Sequence, residues 1–438
     1  MPSREPTRTR QADQPDSSEL PSAEEGGPDA ARARLANELL SHGPPLSASV
    51  YAAFAGVPRH VFVPEMEPAA AYRDEAFVIK CGADGLPVSS SSQPAMMAIM
   101  LDQLGLEPGH RVLEIGTGTG YNAAVMSAVV GPDGEVVTVD IDPELVTRAR
   151  SSLLAAGYDT VTVKCADGGY GDPEGAPFDR LIVTAGAWDI APAWLGQLAP
   201  GGRLVLPLSI RGIQLSVGLQ RADEIWLGTS AWRCGFVRML GAFAGPEDVI
   251  SLGEPDALAF LVSDGSPIDA QALQAALAAG DAVDEPLSVA LGTVADVADL
   301  DLWLTMTAGQ LDRLTVLSAP GDWLRRTPVP PFGALVTSAT DADNLGLAML
   351  MPADPGCPEP GATWSGAVVR GLGPGGPDLA AKLAALSARW AEVGRPGSHD
   401  LGMLVWPGTE PPADLLDGWI VLERPSVTIA AGWPVSSP

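Results

Sequence analysis

Lysine is nearly absent from this chain of 438 residues and occurs only at Lys80, Lys164 and Lys382. In total, 26 lysines and arginines stand against 54 acidic residues, which gives a formal net charge of −28 at pH 7. Proteins that bind nucleic acid neutralise its phosphates with clusters of lysine and arginine. The charge therefore excludes a nucleic-acid partner, and the lack of any polybasic segment excludes binding to an anionic membrane surface.

Long hydrophobic runs and cysteine pairs are missing too. No stretch approaches the ~20 apolar residues of a transmembrane helix, and residues 1–30 contain no hydrophobic core of a secretory signal. Cys81, Cys165, Cys234 and Cys357 lie far apart, with no CxxC pair and no histidine at ligand spacing. We therefore expect a cytoplasmic protein with reduced, mostly buried thiols and no metal site.

Composition divides the chain into three segments. Residues 1–28 are rich in Pro, Ser, Glu and Arg without periodicity, which predicts a disordered tail. Residues 29–248 begin with two short helical patterns and continue, from about residue 92, with alternating strands and helices. This alternation is typical of an α/β fold, in which a mainly parallel sheet has helices on both faces.

Residues 249–438 form a strongly acidic segment that holds seven of the eleven tryptophans and predicts a separate α+β domain. Within it, the sequence favours a helix over 257–264 and a strand over 299–306, where polar and apolar residues alternate. One hypothesis is that this domain recruits a basic or aromatic peptide. The alternative is a lid, a dimerisation module or a stabilising cap with the tryptophans in its core, so a homodimer is left open.

The strongest motif runs from Glu114 to Gly120 with the sequence EIGTGTG, where a buried strand gives way to a helix. Glycines at such a junction permit a tight turn and close approach of a ligand to the backbone. The dinucleotide pattern GxGxxG fails here, because Tyr121 or Ala123 stands where its last glycine is required. A carboxylate two residues before the first glycine suits a cationic ligand and would repel a pyrophosphate. The motif therefore predicts a site for S-adenosylmethionine.

Two more carboxylates follow strands. Asp140 ends the second strand, where it can accept hydrogen bonds from ribose hydroxyls, and Asp167 ends the third, where an acceptor for an adenine amino group would lie. Alone, each would be interpreted as a helix cap or a solvated turn; together they strengthen the prediction. The predicted residues for S-adenosylmethionine and its product S-adenosylhomocysteine are Glu114, Gly116, Thr117, Gly118, Gly120, Tyr121, Asn122, Asp140, Ile141, Asp167, Gly168 and Thr184. For Tyr121, ordinary helix packing is the alternative.

Several segments resemble the protein-L-isoaspartate O-methyltransferase family. They are VPRHVFVPE (57–65), AYRDEAF (71–77), the segment 89–124 that contains the glycine motif, FDRLIVTAGA and QLAPGGRLVLPL, and they lie within roughly residues 46–241. The resemblance implies a Rossmann-like class I S-adenosylmethionine-dependent methyltransferase sheet and methyl transfer to a carboxylate of isoaspartate or aspartate. In the family, a serine and a histidine before the apolar helix line the substrate pocket. Ser92 matches that serine, whereas Ala95 stands at the position of the histidine.

The four-serine run Ser89–Ser92, the extra C-terminal domain and the segment Cys234–Phe236 are similar to one branch of this family. That branch accompanies ribosomally made, modified peptides such as lanthipeptides and graspetides. The similarity implies methylation of an aspartate in a cyclised precursor peptide, whose ester collapses to an aspartimide and can open to isoaspartate. The alternatives are repair of isoaspartyl residues in damaged proteins and a scaffold that binds S-adenosylmethionine without catalysis.

Methyl transfer to a carboxylate requires little from the protein beyond alignment of the two reacting groups. A peptide carboxylate with a pKa of about 4 is already ionised at pH 7, so no general base is needed. Hydroxyl groups can orient such a carboxylate without binding it so tightly that the ground state is favoured. We therefore predict that Ser92 and Ser91 orient the reacting carboxylate and that Ser89, Ser90, Gln93 and Tyr72 bind the substrate. A flexible loop with a helix N-cap is the alternative for the serines, and His60 is expected to be structural.

Overall fold

The structure is a computed structural model. It describes residues 27–41, 46–252, 258–262, 264–265, 268–278, 282–309, 311–318, 333–337, 345–353, 366–408 and 418–433. Of the predicted tail, residues 1–28, all but the last two residues lie outside the described residues. Those last two residues are already helical, since the first helix begins at Gly27.

Short elements precede the main sheet. They are helices α1 (Gly27–Leu39) and α2 (Ala48–Gly56), 3-10 turns at Arg59–Val61 and Ala70–Tyr72, strands β1 (Phe77–Cys81) and β2 (Pro87–Ser91), and helix α3 (Pro94–Leu104). Strands β1 and β2 form an antiparallel hairpin that pairs Phe77 with Ser91. The serine run is therefore mostly strand rather than loop. Ser92 does not cap helix α3, since Asp74 accepts a hydrogen bond from the Ala95 amide at the start of this helix.

The predicted strand–helix alternation is confirmed. The elements are β3 (Arg111–Ile115), α4 (Tyr121–Val130), β4 (Glu135–Asp140), α5 (Pro143–Ala156), β5 (Thr162–Cys165), a 3-10 turn at Gly168–Tyr170, β6 (Phe178–Val183), α6 (Pro192–Gly196), β7 (Leu198–Ile210), β8 (Ile213–Ala222) and β9 (Ile225–Arg233). Strands β3 to β6 and the start of β7 are parallel, and β8 and β9 add antiparallel strands. This is the α/β arrangement that the sequence predicts, and it brings the carboxyl ends of β3, β4 and β6 to one edge of the sheet.

Local signals explain where these helices begin. Asp142 caps α5 by accepting hydrogen bonds from the Glu144 and Leu145 amides, and Pro143 occupies the first turn. Gly120 precedes α4 with φ of +86°, and a Cβ there would lie 3.3 Å from Ala149 on α5. Gly120 therefore serves the turn and the packing of α4 against α5.

The C-terminal part forms a second sheet and extends the first. Its elements are β10 (Asp248–Leu252), β11 (Leu258–Val262), α7 (Ala270–Ala278), β12 (Val283–Pro286), α8 (Val294–Thr307), β13 (Leu311–Ser318), β14 (Gly333–Thr337), β15 (Leu347–Pro352), β16 (Ala367–Leu372), α9 (Gly376–Glu392), a 3-10 turn at Ser398–Asp400, β17 (Gly402–Pro407), β18 (Ile420–Glu423) and β19 (Val427–Gly432). Strands β10 to β16 build the second sheet, whereas β17 pairs with β9, and β19 and β18 continue the first sheet outward. The strand pairing thus crosses the predicted domain boundary at residue 248.

Two predictions in this part are wrong. Residues 258–262 are a strand, because this short apolar run pairs with a neighbour on each side and buries Phe260 and Val262. Residues 294–307 are a helix, although the alternation over 299–306 favoured a strand. Thr293 and Asp296 form a capping box that starts this helix. Because much of the helix is buried, its apolar residues are not confined to one face, and the alternation therefore does not indicate a strand.

Three tryptophans of the acidic segment make structural contacts. Trp303, Trp390 and Trp433 each donate the ring N–H to a backbone carbonyl, and Trp390 is buried. These contacts fit the alternative in which the tryptophans belong to a packed core. Trp323 and Trp364 lie outside the described residues, and peptide recruitment by this segment stays a prediction.

A buried ion cluster joins the two sheets. Asp301 on α8 contacts Arg233 at the end of β9 (2.5 Å) and Arg313 on β13 (2.7 Å). The two guanidinium groups hold the pKa of the Asp301 carboxyl below its usual range despite its burial. The cluster therefore ties the first sheet to the second through opposite charges.

The cysteines differ from the expectation of mostly buried thiols. Cys81 and Cys165 are exposed, since each lies at the end of a strand, and only Cys234 is substantially buried, which raises the pKa of its thiol. Cys357 lies outside the described residues. Within the described ranges, no group of His, Cys, Asp or Glu side chains is arranged to hold a metal ion. In the same part of the chain, no helix has the length and apolarity to cross a bilayer.

Candidate active site

A pocket opens at the carboxyl ends of β3, β4 and β6, and the β1–β2 hairpin covers it from the opposite side. Its wall includes Ser89, Ser90, Ser91, Ser92, Met97, Gly116, Thr117, Gly118, Tyr121, Asn122, Asp140, Ile141, Gly168, Thr184, Phe236 and Arg238. The structure therefore brings most of the predicted cofactor residues together with all four serines of the run.

The glycine turn leaves room for a ligand against the backbone. Gly116 has φ of +103°, and a Cβ at this position would lie 2.5 Å from the Thr184 hydroxyl oxygen. Thr184 in turn donates a hydrogen bond to the Gly116 carbonyl oxygen (2.7 Å), and this bond holds the turn in place. A side chain at Gly116 would displace this contact, which explains the need for glycine here.

Asp140 lies at the edge of the pocket where the second strand ends. Its two carboxylate oxygens accept hydrogen bonds from the Gly118 and Asp142 amides, each at 3.0 Å. Burial raises the pKa of this carboxyl despite these hydrogen bonds. The neighbouring Ile141 side chain is exposed and also lines the pocket. Both residues lie in the pocket wall, and the contacts of Asp140 with ribose hydroxyls and of Ile141 with the cofactor stay predictions.

Glu114 lies behind the pocket wall rather than in it, and its predicted contact with the cofactor stays a prediction. Its side chain is fully buried and does not line the pocket; it accepts hydrogen bonds from Asn122 Nδ2 (2.8 Å) and Thr138 Oγ1 (2.6 Å). Burial raises the pKa of the Glu114 carboxyl to about 7. Residue spacing placed this carboxylate near the strand end but could not show that its side chain points into the protein.

Glu114 instead orients Asn122. Because Asn122 donates its amide N–H to Glu114, its Oδ1 faces away, and this oxygen is buried without a hydrogen-bond partner among the described residues. A buried acceptor without a partner is costly unless a ligand supplies the donor. The α-amino group of S-adenosylmethionine is such a donor, so the residues present fit this cofactor.

The segment that follows β5 contributes a backbone group to the pocket wall rather than a carboxylate. Asp167 accepts hydrogen bonds from the Gly169 and Ala242 amides (2.9 and 2.8 Å) and does not line the pocket. Gly168 does line it, and a Cβ there would lie 2.3 Å from Ile115. In this geometry Asp167 anchors the segment around residue 242, and its contact with adenine stays a prediction.

The serine run faces the glycine turn across the pocket. Ser89 and Ser91 are buried, and Ser90 and Ser92 are partly exposed. A Cβ at Gly118 would lie 3.5 Å from the Ser90 carbonyl oxygen and 3.9 Å from the Ser89 hydroxyl. The Ser89 hydroxyl thus lies next to the glycine turn, and all four serines contribute to the same pocket wall.

Two predicted substrate residues are not in the pocket wall. The Tyr72 side chain is buried and its hydroxyl contacts His60 Nδ1 at 2.8 Å, while Gln93 Nε2 donates to the Asp74 carboxylate at 2.9 Å. Tyr72 thus contacts the 3-10 turn at Arg59–Val61 and Gln93 contacts the loop before the hairpin, and their contact with substrate stays a prediction. Tyr121 lines the pocket and its ring also packs against Phe62, so the packing is observed and the contact with the cofactor stays a prediction.

Two basic residues that the sequence left unassigned hold the hairpin over the pocket. Lys80 on β1 forms an ion pair with Asp142 (2.6 Å), two residues after Asp140. Arg238 forms an ion pair with Asp84 in the hairpin turn. The rarity of lysine in this chain was the one signal that could have marked Lys80 for attention.

Comparison with known proteins agrees with this geometry. A family model described as protein-L-isoaspartate(D-aspartate) O-methyltransferase matches residues 30–242. The Methanopyrus kandleri protein-L-isoaspartate O-methyltransferase is 42% identical over 230 residues, which cover 50% of this chain and 95% of the relative. This chain belongs to the protein-L-isoaspartate O-methyltransferase family. Membership confirms the predicted class I fold, the methyltransferase class and S-adenosylmethionine as the cofactor.

Solved structures in this family also match. A protein-L-isoaspartate O-methyltransferase aligns over 85% of this chain and 96% of its own, with a TM-score of 0.47 and 23% identity. A Plasmodium falciparum family protein, described in complex with S-adenosyl-L-homocysteine, aligns over 49% of this chain and 99% of its own, with a TM-score of 0.43 and 20% identity.

Proposed function

We propose that this enzyme transfers a methyl group from S-adenosylmethionine to the free α-carboxylate of L-isoaspartyl residues in proteins or peptides. The observation that carries the proposal is the pocket itself, in which the glycine turn, Asp140 and the unpartnered Asn122 oxygen face the hydroxyls of Ser89–Ser92. The relatives that share this part of the chain are named for isoaspartyl residues, which supports this substrate class.

Each part of the pocket has a physical task. Asn122 and Asp140 suit the amino group and the ribose of the cofactor, and the positively charged methyl donor supplies the activated carbon. The serine hydroxyls hold one carboxylate oxygen of the substrate in line with the methyl group, and the hairpin excludes water. His60 is bound to Tyr72 outside the pocket wall and is not needed, because the substrate is already ionised.

A matched pair of peptides tests the proposal. One carries an L-isoaspartyl residue and the other the normal aspartyl residue in the same sequence, and release of S-adenosylhomocysteine is measured for both. We expect turnover of the isoaspartyl peptide and a loss of at least ~10-fold in kcat/KM for Ser92→Ala. Ser151→Ala, which removes an exposed hydroxyl on α5, serves as the control. Binding of S-adenosylmethionine without any turnover would favour the scaffold alternative.

A second candidate is the aspartate side chain of a cyclised precursor peptide. Two features favour it: Ala95 stands where the family has a histidine, and the four-serine strand replaces the shorter family segment. In this case the methyl ester is attacked by the next backbone nitrogen, methanol leaves, and an aspartimide forms without further help from the enzyme. Turnover of a cyclised aspartyl peptide with none of the linear isoaspartyl peptide would make this candidate the function.

A further inference from the structure

Arg59 is completely buried, yet no carboxylate of the described residues lies within ion-pair distance of it. It belongs to the VPRHVFVPE segment beneath the hairpin. Its Nη1 donates to the Arg73 carbonyl (3.0 Å), and its Nη2 donates to the Glu75 and Ser92 carbonyls (3.1 and 2.9 Å) and, over 3.4 Å, to Ser91 Oγ. Burying an unpaired charge is costly, so its retention at this point calls for a role.

The contact with Ser91 fixes the direction of a hydroxyl group in the pocket wall. A guanidinium group can only donate hydrogen bonds, so Ser91 Oγ must accept, and its own hydrogen must point elsewhere. Among the described residues no acceptor for this hydrogen is present, while Ser91 is part of the pocket wall. The hydroxyl is therefore left as a donor for a group that enters the pocket.

The residues around Arg59 leave the electrostatic influence of its guanidinium group largely unscreened. The rings of Phe77 and Tyr121 lie 4.9 and 5.7 Å from the guanidinium carbon and shield it from water. The carboxylate of Asp74, whose charge acts on Arg59, accepts hydrogen bonds from the Gln93 side chain and from the Ala95 amide at the start of α3. A positive charge that is buried away from water acts over a longer distance than one in water.

We propose that Arg59 is a positioning residue that selects an anionic substrate: it orients the Ser91 hydroxyl as a donor toward the substrate carboxylate and supplies a fixed positive charge behind the pocket wall. This inference rests on the proposed transfer to a carboxylate. The guanidinium group acts through Ser91 and does not clamp the carboxylate itself. A direct clamp would stabilise the anion, whose charge is lost in the transition state.

The proposal predicts separate effects on KM and kcat. Arg59→Gln removes the charge, so KM for the isoaspartyl peptide rises by about 10-fold while kcat changes by less than ~3-fold. Arg59→Lys keeps the positive charge but loses the planar guanidinium group with its several N–H donors. Its KM stays close to that of the unchanged enzyme. A purely structural role would instead lower kcat as well and weaken the affinity for S-adenosylhomocysteine.

The decisive readout is the preference for a carboxylate over a carboxamide. Binding of the isoaspartyl peptide and of the same peptide with its α-carboxylate converted to a carboxamide is measured with S-adenosylhomocysteine present. We expect Arg59→Gln to lose about 10-fold of the carboxylate preference and Arg59→Lys to keep it. Arg148→Gln is the matched control, because Arg148 donates to the Phe62 carbonyl of the same segment but is ion-paired with Glu65 (2.7 Å). This control keeps the preference.

Three results would overturn the proposal. The first is an unchanged carboxylate preference in Arg59→Gln, and the second is an equal loss in Arg59→Gln and Arg59→Lys. If Arg59→Gln does not fold, Ser91→Ala and Ser91→Thr decide: the proposal requires that only the alanine variant loses the preference, and equal preferences overturn it.

Failure of the proposed function can be distinguished from failure of the Arg59 proposal. If the unchanged enzyme binds neither linear peptide, isoaspartyl methylation is wrong, and the same variants are compared on a cyclised aspartyl peptide and its asparaginyl counterpart. Failure to bind this second pair as well would overturn both proposals.

Discussion

The buried carboxyl of Glu114 predicts an unusual pH dependence of stability that a single substitution removes. Its pKa is raised from an ordinary 4.5 to about 7 because burial disfavours the charged form. Between these two pH values the folded protein holds a proton that the unfolded chain has released. The stabilising contribution of this group is therefore complete below pH 4.5 and is lost as the pH rises through about 7.

The substitution Glu114→Gln tests this directly. Glutamine has the same shape, accepts the hydrogen bond from Asn122 and can donate to Thr138, whose own hydrogen then turns to Thr117. A rise in pKa from 4.5 to about 7 corresponds to at most about 3 kcal/mol. We expect the free energy of unfolding of the variant, relative to the unchanged protein, to increase by up to about 3 kcal/mol between pH 5 and pH 8.5.

Urea denaturation of both proteins at the two pH values measures this difference, and charge effects common to both cancel. Glu107→Gln, which removes a largely exposed carboxylate, is the control and shows no such change. Identical pH dependences for the unchanged protein and Glu114→Gln would refute the reasoning. Calorimetry adds a second readout: S-adenosylmethionine binding at pH 7 releases more protons in the unchanged protein than in Glu114→Gln, because the bound cation favours the ionised carboxyl.

Three further predictions concern other parts of the molecule. Gly116→Ala places a Cβ against the Thr184 hydroxyl at a φ of +103° and weakens S-adenosylmethionine binding at least ~10-fold by calorimetry; an unchanged Kd would contradict this. Asp301→Asn removes the charge that pairs with Arg233 and Arg313 and costs about 3–5 kcal/mol in urea denaturation, and a loss below ~1 kcal/mol would refute it. Lys80→Met removes the solvent-exposed ion pair with Asp142, so stability in urea denaturation changes little. The same variant loses ~3- to 10-fold in kcat/KM as the hairpin loosens, and unchanged kinetics would contradict this.

The sequence predicted the parallel sheet well because its elements carry strong local signals. Pro143 after Asp142 marks the start of α5, and the glycines from Gly116 to Gly120 mark the turn before α4. Such signals depend only on neighbouring residues. The cofactor pocket followed from them, since parallel strands must bring their carboxyl ends to one edge.

Side-chain direction and long-range pairing were beyond the sequence. Glu114 lies on a strand buried on both faces, where alternation does not tell inside from outside. The pairing of β17 with β9 joins residues about 180 positions apart, and no local pattern specifies it. Likewise, the contact between Arg59 and the serine run depends on a hairpin whose register only the folded chain reveals.

The central claim is that one pocket holds S-adenosylmethionine against a peptide carboxylate. A crystal structure of the enzyme with S-adenosylhomocysteine and an isoaspartyl peptide tests it most directly. We expect the ribose on Asp140, the amino group on Asn122 Oδ1, and the peptide carboxylate between the cofactor sulfur and the hydroxyls of Ser91 and Ser92. A cofactor bound elsewhere, or a peptide whose carboxylate lies away from these serines, would contradict it.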